Sequence, residues 1–384
     1  MLLTVALSQD LILFDRLQDA AQHWQTVSTN PYPFDFHRLR AIEETMADAV
    51  KPVYATAIQN GTVATFYFQF IPFRAQYFDS PFKKYGLTRK LESLVVGERL
   101  SFLMCGNLIA IDVPGYHFES VASDTSRLDV LQRVLHRVET QHRPSITTVK
   151  DVDDDLFAQL LDTGYADFGT DLTMALTINP RWKSFEDYTE ALKHKYAQRV
   201  RKLQRAAAGI ERRAIAAADF SQHRAAFQKL FLEVTKRQSI RILIPPMQYF
   251  EDLLTHDARF TIVGYFENHQ PVLFATYFNH GDLTEVHYVG IDYAANERCS
   301  LYFNMMFDSV ARAIENGSST LELGRTARQA KAILGGEPVY FKTAVRFHNP
   351  VARWVFDTLR RRFAQKAGAD WEPRHPFKKR RIEN

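Results

Sequence analysis

The feature that most constrains the fold is one order of secondary-structure elements that the sequence predicts twice. Apolar spacing and runs of β-branched and aromatic residues predict two strands, a helix, a strand, a helix and a strand in the first half, at 63–71, 100–111, 126–138, 146–149, 153–161 and 172–178. In the second half they predict three strands followed by helix, strand, helix and strand, at 260–266, 272–278, 283–289, 301–316, 320–323, 327–334 and 339–347. The halves share element order rather than residue identity, which is typical of a degenerate duplication. The chain is therefore predicted to be an α/β (α+β) protein.

Breaks in these patterns predict the domain limits. Asn179-Pro180 separates an N-terminal domain, 1–180, from a C-terminal domain, 181–359, and a tail follows at 360–384. A length of 384 residues fits two domains. The first 60 residues predict mixed helix and loop, with a helix near 36–49. One long helix is predicted at 184–209, with Ser184 as its N-cap.

The tail differs in charge from the remainder of the chain. Residues 360–384 contain nine Lys/Arg and three Asp/Glu, a net charge of +6, whereas the whole chain carries +4, so the remainder carries −2. Few apolar residues and two prolines predict that this basic tail is flexible. A role in solubility and a role in holding RNA or an anionic membrane surface by charge remain open for it.

Composition and missing motifs exclude several classes of protein. The longest apolar runs fall short of the roughly 20 residues that span a bilayer, and no signal peptide is recognisable, so no integral membrane association is predicted. Two cysteines, Cys105 and Cys299, fit a reducing compartment, and a cytoplasmic location is predicted. The acidic residues at 151–155 are explained by a helix N-terminus. The sequence predicts no metal and no permanently bound cofactor, and it lacks GxSxG, Walker A and GxGxxG motifs.

Two segments carry a resemblance to a known family. SFEDYTEALKHKYAQRVRKLQRAAAG at 184–209 and HYVGIDYAANERCSLYFNMMFDSVARAIENGSSTLELGRTARQAKAILGGEPV at 287–339 resemble the second domain of the Fem-type peptidoglycan aminoacyltransferases and of the BioF2-like acetyltransferases. The resemblance covers about 182–347, and the first half matches in element order only. It implies a bacterial protein with two tandem GNAT domains, each a mixed, mostly antiparallel sheet flanked by helices.

The resemblance also implies an activity. Such an N-acyltransferase moves an acyl group from a thioester or ester donor, acyl-CoA, to an amine by direct attack. The turn at 291–300, IDYAANERCS, contains no glycine, although a typical GNAT holds the coenzyme A pyrophosphate there on a glycine-rich turn. Two alternatives therefore stay open. One is a Fem-type transferase that takes its acyl group from aminoacyl-tRNA and acts on a cell-wall or lipid-linked amine. The other is a non-catalytic ligand-binding GNAT pair.

The candidate catalytic residues lie on two predicted strands. Glu322 in LELGRTA faces away from the neighbouring leucines and is a candidate base, while an ion pair with Arg325 or Lys331 is the structural alternative. His287 is the second candidate base, since histidine titrates near neutral pH. It is predicted to share a face with Glu285, two residues earlier, while Tyr288, a candidate acid for the leaving group, takes the other face.

The candidate substrate-binding residues are mostly cations. Six Lys/Arg and no acid lie between Lys193 and Arg205, which predicts either a solvated helix face or a surface for phosphate or RNA. The residues proposed to bind phosphate or carboxylate are Lys195, Arg199, Arg201, Arg325 and Lys331. Asn304, one turn into the following helix, is predicted to line the cleft, with an ordinary surface position as the alternative.

Overall fold

The computed structural model describes residues 10–27, 34–59, 61–72, 100–121, 126–169, 171–238, 243–350, 353–354 and 372–378. Contacts between residues divide the chain into two compact units. Unit 1 comprises Met1–Asp171, Ile240–Tyr249 and Phe341–Arg362, and unit 2 comprises Leu172–Ser239, Phe250–Tyr340 and Phe363–Asn384. No helix in the described ranges is long and apolar enough to cross a bilayer.

Unit 1 is built on a mixed sheet in the order β1-β2-β3-β4-β6-β15-β7, with β5 pairing β3. Its strands are β1 (Asp10–Phe14), β2 (Lys51–Gln59), β3 (Thr62–Pro72), β4 (Ser101–Cys105), β5 (Tyr116–Ser120), β6 (Ile146–Val149), β7 (Ala166–Asp167) and β15 (Ala344–Phe347). Its helices are α1 (Leu17–Val27), α2 (Phe36–Thr45), α3 (Arg127–His142) and α4 (Asp154–Asp162). Apolar residues of α3 and α4 pack against β2, β3, β4 and β6 and form the core of this unit.

Unit 2 is built on a second mixed sheet in the order β14-β8-β13-β12-β11-β10-β9. Its strands are β8 (Asp171–Thr177), β9 (Glu211–Ala214), β10 (Phe260–Glu267), β11 (Gln270–Asn279), β12 (Leu283–Ile291), β13 (Thr320–Glu322) and β14 (Glu337–Phe341). Its helices are α5 (Phe185–Ala191), α6 (His194–Ala206), α7 (Phe220–Thr235), most of α8 (Met247–His256), α9 (Tyr293–Cys299), α10 (Leu301–Glu315) and α11 (Arg328–Leu334). Apolar residues of α5, α6, α10 and α11 cover one face of this sheet.

Each sheet contains a parallel pair of strands with antiparallel neighbours on either side. In unit 1 the pair is β4 and β6, joined through α3, and in unit 2 it is β12 and β13, joined through α9 and α10. An antiparallel strand follows on the outer side of each pair, β15 beside β6 and β8 beside β13. The predicted repeat of element order is therefore present in the fold.

The outer strands, however, do not belong to the halves in which the sequence predicted them. The segment 172–178 was predicted to end the first domain, but β8 lies in the sheet of unit 2. The single strand predicted at 339–347 is two strands in two sheets, β14 and β15. The main chain turns away at Lys342 and Thr343, whose carbonyls accept hydrogen bonds from Val152 and Phe168 of unit 1. The sequence at 339–347 contains no turn signal that would have predicted this break.

The helix predicted at 184–209 is also divided, into α5 and α6. Ser184 caps α5 as predicted, in a capping box with Asp187. The break lies at Leu192 and Lys193, both in extended conformation. Here the chain pairs with the C-terminal segment: Leu192 forms a bridge with Phe377, and the Lys193 N–H donates to the Pro376 carbonyl at 2.7 Å.

Part of the tail that was predicted to be flexible is thus packed on unit 2. The ring of Phe377 lies 5.6 Å from that of Trp182 and 6.0 Å from that of Tyr188, between ring centroids. A Cβ atom on Gly335 would lie 2.3 Å from the Phe377 ring, so only glycine fits there, at a φ of +98°. The other tail residues, 360–371 and 379–384, lie outside the described residues.

The N-terminal 60 residues contain more sheet than predicted. The predicted helix near 36–49 is present as α2, but β1 and β2 were not predicted. β2 is buried at seven of its nine positions and pairs with both β1 and β3. Its alanines and its proline weakened the strand signal, and burial between two neighbouring strands outweighs that low propensity.

Candidate functional site

The parallel pair of unit 2 opens into a gap. β12 and β13 are in register only from Leu283 to Glu285 and from Thr320 to Glu322. Beyond that point the chain after β13 stays with β8, because the Leu323 N–H donates to the Met174 carbonyl at 2.8 Å. β12 instead continues to Ile291 beside β11. Glu285 and Glu322 therefore lie where the two strands separate.

Glu322 is held on one side and left open on the other. Its Oε1 atom accepts hydrogen bonds from the Thr173 hydroxyl and, at 2.6 Å, from the Gly324 N–H. Its Oε2 atom is shielded from solvent and has no hydrogen-bond partner in the described part of the chain. Glu322 is 7% exposed. Its burial and the charge of Glu285 raise its pKa to about 7, although the hydrogen bonds to Oε1 act to lower it. A carboxylate in this state can accept a proton near neutral pH.

The two cations that the sequence placed beside Glu322 have different settings. Lys331 on α11 is 3% exposed, and burial lowers its pKa to about 7 while the charge of Glu322 opposes that shift. The two groups attract each other without a direct ion pair. Arg325 is half-buried, two of its guanidinium nitrogens are shielded from solvent, and its carbonyl accepts from Arg328 Nε at 3.1 Å.

Two histidines meet at Glu285. His287 Nδ1 lies 2.9 Å from Glu285 Oε1, and His280 Nε2 lies 3.3 Å from Glu285 Oε2. Glu285 and His287 share a face of β12, as the sequence predicted. The His287 side chain is 2% exposed and lies among the rings of Phe278 and Tyr288. It is therefore enclosed in the fold and not open to the gap.

The predicted placement of Tyr288 is wrong because β12 contains a β-bulge. Thr276 of β11 stands opposite both His287 and Tyr288, and its hydroxyl accepts from the Tyr288 N–H at 2.9 Å. Val286 and Val289, on either side, both pack on the core face. The extra residue therefore puts His287 and Tyr288 on the same face, with ring centroids 4.5 Å apart.

The bulge also leaves main chain accessible at the gap. His287 as a residue is partly exposed although its side chain is not, so the exposed part is its backbone. The Tyr288 ring packs edge-on against Phe231 and Phe250.

The predicted substrate-binding cations of α6 lie on its exposed face. Lys195, Arg199 and Arg201 are all exposed, and none has a carboxylate partner in the ranges that the structure describes. Arg199 stacks over the Phe303 ring, 5.0 Å from its centroid, at the side of a groove of about 490 Å³. The groove is lined by Arg199, Phe303, Ala327, Arg328, Gln329, Ala330 and Ile333. Two guanidinium groups above an apolar floor suit an anion that carries an apolar part.

Asn304 does not line this groove. It is 1% exposed, and its Nδ2 donates to the carbonyls of Leu203 and Ser300, each at 3.0 Å. Its Oδ1 accepts from Arg212 at 3.3 Å. These bonds tie α10 to the end of α6 and to β9.

The glycine-free turn at 291–300 is occupied by α9, which the sequence did not predict. Asp292 Oδ1 accepts hydrogen bonds from the N–H groups of Ala294 at 2.8 Å and Ala295 at 3.1 Å. Asn296 Oδ1 accepts from the Tyr302 N–H at 2.8 Å. The amides that a pyrophosphate would need are thus already bonded, and Asp292 adds a negative charge. This turn does not fit a coenzyme A pyrophosphate bound through its backbone.

Four residues of this region were missed by sequence reasoning: Thr173, His280, Glu285 as a site residue, and Arg328. Glu285 stands two positions before His287 on the same strand, and this spacing could have identified it as a site residue. Thr173 reaches Glu322 from a strand 149 positions earlier, which no local pattern reveals. No three His, Cys, Asp or Glu side chains in the described ranges are grouped so as to hold a metal ion.

Solved structures share the architecture of this chain. FemX is 9% identical, with a TM-score of 0.53 over 90% of this chain and 100% of its own. A tandem GNAT protein from the clavulanic acid biosynthesis pathway is 7% identical, with a TM-score of 0.52 over 89% of this chain and 99% of its own. A conserved protein of unknown function from Bacteroides thetaiotaomicron is 10% identical, with a TM-score of 0.50 over 88% and 99%.

These likenesses confirm the predicted fold, two tandem GNAT domains. At such low identity they carry the fold and no more. No protein-family model and no curated protein matches the sequence.

Proposed function

From this tandem GNAT fold we propose that the chain is an acyltransferase whose reaction takes place in unit 2. It moves an acyl group from a phosphate-bearing thioester or ester donor to an amine acceptor. The observation that carries the proposal is the Oε2 atom of Glu322, which is buried at the gap between β12 and β13 and has no hydrogen-bond partner among the described residues. A buried acceptor without a partner is costly, and such groups are retained where a ligand supplies the missing hydrogen.

The proposed chemistry needs only direct attack. The amine nitrogen bonds to the acyl carbon and gives its proton to Glu322 Oε2, while the leaving group departs with its electron pair. The raised pKa of Glu322 suits a base that works near neutral pH. The accessible backbone at His287 is the proposed place where the developing oxyanion is bound.

The groove beside Arg199 and Arg328 is the proposed site for the phosphate groups of the donor. Acyl-CoA is the first candidate, since AcCoA is named with the clavulanic acid pathway protein and the groove has the volume of a small-molecule site. Because the amides at 294 and 295 are occupied, side-chain cations in place of backbone amides would hold these phosphates.

Aminoacyl-tRNA is the second candidate donor, and a specific observation favours it. The cations of α6 form an exposed basic face, and Asp292 closes the turn that coenzyme A would use. If aminoacyl-tRNA is the donor, the proposed acceptor is a cell-wall-precursor or lipid-linked amine. If acyl-CoA is the donor, the proposed acceptor is a small amine. For either reaction we propose a cytoplasmic location, in line with the reducing compartment that the two cysteines predict.

The test is turnover by purified Glu322→Gln beside wild type and Glu337→Gln, a matched change at an exposed glutamate of β14. Each protein is given acetyl-CoA, longer acyl-CoAs or bulk aminoacyl-tRNA with a mixture of primary amines, and thiol or free tRNA is measured. Glu322→Gln is expected to lose at least about 100-fold in kcat with an unchanged circular dichroism spectrum. Wild-type turnover by folded Glu322→Gln would contradict the proposal, and saturable binding without any product would favour a non-catalytic pair.

The donor site has its own controls. Arg199→Ala and Arg328→Ala are expected to raise the donor KM about tenfold each, whereas Lys202→Ala, exposed on α6 but outside the groove, changes it little. If the donor is aminoacyl-tRNA, Lys202→Ala also weakens binding, and affinity falls steeply with salt.

A further inference from the structure

We infer that Glu285 and His280 form the outlet through which the proton taken up by Glu322 returns to solvent. This inference rests on the proposed function, because it assumes that Glu322 accepts a proton from the amine. It assigns roles to two residues that the direct-attack chemistry does not itself require.

Glu322 needs such an outlet because water can reach it only through the opening that admits the acceptor amine. Its Oε1 atom is held by the Thr173 hydroxyl and the Gly324 N–H, and its Oε2 atom is shielded from solvent. During turnover the acceptor amine and the acyl group would cover the gap further. Without a path for the proton, each catalytic cycle would end with a protonated base.

Glu285 is the nearest group that can receive the proton. It is the register partner of Glu322 on the adjacent parallel strand, so the two side chains leave the sheet on the same side. Neighbouring strands lie roughly 4.8 Å apart, within reach of two glutamate side chains. The two carboxylates interact, since the charge of Glu285 contributes to the raised pKa of Glu322. Carboxylates that interact in this way titrate as a coupled pair, and this coupling is the basis for proposing that the proton passes from one to the other.

From Glu285 two histidines offer a way on, and burial distinguishes them. His287 is 2% exposed and enclosed by the rings of Phe260, Phe278 and Tyr288, so it has no contact with water through which to release a proton. His280 is 25% exposed, lies between β11 and β12, and stacks on Phe278. His280 is therefore the outlet, and His287 is a positioning residue that holds Glu285 Oε1.

The proton movements balance. When the new N–C bond forms, the N–H proton passes to Glu322 Oε2, and the bond from the acyl carbon to the leaving group breaks with its electron pair on the leaving group. Glu322 gives the proton to Glu285, and Glu285 gives it to Nε2 of His280. The resulting imidazolium releases a proton from Nδ1 to water, and exchange of the ring proton through water then moves it from Nε2 to Nδ1, so that Nε2 is free for the next cycle. No electrons are gained or lost along this path.

Other charged groups face this path and set its direction. Lys331, on α11, lies on the Glu322 side and attracts the charge of that carboxylate. At the Glu285 end both neighbours are histidines, and a ring nitrogen of each lies against one of the two carboxylate oxygens. The Thr173 hydroxyl, on β8, stabilises ionised Glu322 and so favours release of its proton.

The first test compares His280→Asn, Glu285→Gln and Glu322→Gln with His269→Asn, an exposed turn histidine in the same unit. Acetyl-CoA and primary amines are used first, and aminoacyl-tRNA if acetyl-CoA gives no turnover. His280→Asn is expected to lose about tenfold in kcat at unchanged KM, and to recover when free imidazole is added. Glu285→Gln is expected to lose more, and His269→Asn nothing.

The outcomes separate the outlet from the proposed base. If Glu322→Gln is inactive while His280→Asn has wild-type kcat at every imidazole concentration, the outlet is wrong and the proposed function stands. If folded Glu322→Gln is fully active, both are wrong. A substrate-free measurement covers the case of poor folding or no turnover. The infrared carboxyl band of Glu322 is expected to titrate at lower pH in Glu285→Gln than in wild type, and an unmoved titration would overturn the coupling between the two carboxylates.

Discussion

The two units differ most at the point where their topology is the same, the end of the parallel strand pair. In unit 1 the pairing of β4 and β6 continues past the strands, because the Lys150 N–H donates to the Cys105 carbonyl at 3.0 Å. The Lys150 ammonium forms a buried ion pair with Asp151 and donates to the Ala110 carbonyl at 3.1 Å. In unit 2 the equivalent strands separate at Glu285 and Glu322.

The comparison shows how one arrangement of strands can be closed or opened. In unit 1 the acid after the parallel pair, Asp151, meets an internal cation and also accepts from the Val113 N–H at 3.0 Å. In the described part of the chain Asp151 Oδ1 and Glu322 Oε2 are both buried without a hydrogen-bond partner, so the units differ in the cation: Asp151 is ion-paired with Lys150, whereas Glu322 has no ion pair there. We therefore assign the proposed reaction to unit 2 and a supporting role to unit 1.

The largest expected effect is on the closed pair of unit 1. Lys150→Met leaves Asp151 charged and buried, and is expected to cost about 3–5 kcal/mol of unfolding free energy in chemical denaturation. Lys150→Met combined with Asp151→Asn removes the unpaired charge and is expected to recover much of that loss. If unit 1 only supports unit 2, folded Lys150→Met is expected to retain turnover. Loss of turnover in fully folded Lys150→Met would instead mean that unit 1 takes part in the reaction.

The second effect is a pH dependence with opposite signs in the two units. The pKa of Glu322 is raised from 4.5 to about 7, so its contribution to stability is present below pH 4.5 and is lost as the pH rises through 7, by roughly 3 kcal/mol. Burial raises the pKa of Glu139 in unit 1, but hydrogen bonds from His348, Arg346 and Thr147 outweigh it and lower that pKa from 4.5 to about 2. Its contribution is present above pH 4.5 and is lost as the pH falls towards 2.

Melting temperatures from pH 2 to 9 check this contrast. As the pH rises from 4.5 to 7, wild type is expected to lose stability relative to Glu322→Gln. As the pH rises from 2 to 4.5, wild type is expected to gain stability relative to Glu139→Gln. Burial also lowers the pKa of Lys331 from 10.5 to about 7, so removing that cost lets stability rise again above pH 7. Parallel curves for wild type and Glu322→Gln would refute the raised pKa.

A third, smaller effect concerns the C-terminal segment that packs against α5 and the end of α11. Phe377→Ala removes a ring packed on Gly335, Trp182 and Tyr188 and is expected to cost about 2 kcal/mol. Tyr340→Ala, at a residue that is 60% exposed, is the control and changes stability little. Equal melting temperatures for the two variants would show that the segment does not stabilise unit 2.

The smallest effect sharpens the identity of the donor. Asp292→Ala removes the cap of α9 and is expected to cost about 1 kcal/mol. It also frees the N–H groups of Ala294 and Ala295 and removes a negative charge, so the variant is expected to bind inorganic pyrophosphate more tightly in calorimetry. Unchanged binding would mean that this turn is not oriented for phosphate even when its amides are free.

Local patterns in the sequence predicted much of unit 2 and little of what completes its site. Val286 to Val289 has the composition of a strand, but the bulge that turns Tyr288 depends on Thr276 of the neighbouring strand. The break between α5 and α6 depends on Pro376 and Phe377, more than 180 positions away. The sheets to which β8 and β15 belong are likewise set by pairing with strands that are distant in sequence, β13 and β6. Alternation along LELG did predict that Glu322 faces away from the leucine core.

The most direct test of the account is the ionisation of Glu322 itself. Infrared difference spectra of wild type between pH 5 and 9 are compared with those of Glu322→Gln, so that the band missing from the variant belongs to Glu322. We expect a protonated carboxyl band at pH 5 that disappears with a midpoint near pH 7 in wild type and is absent from the variant. If no band of Glu322 titrates near neutral pH, Glu322 is an ordinary ionised carboxylate, and the proposed base and the contrast between the two units are both wrong.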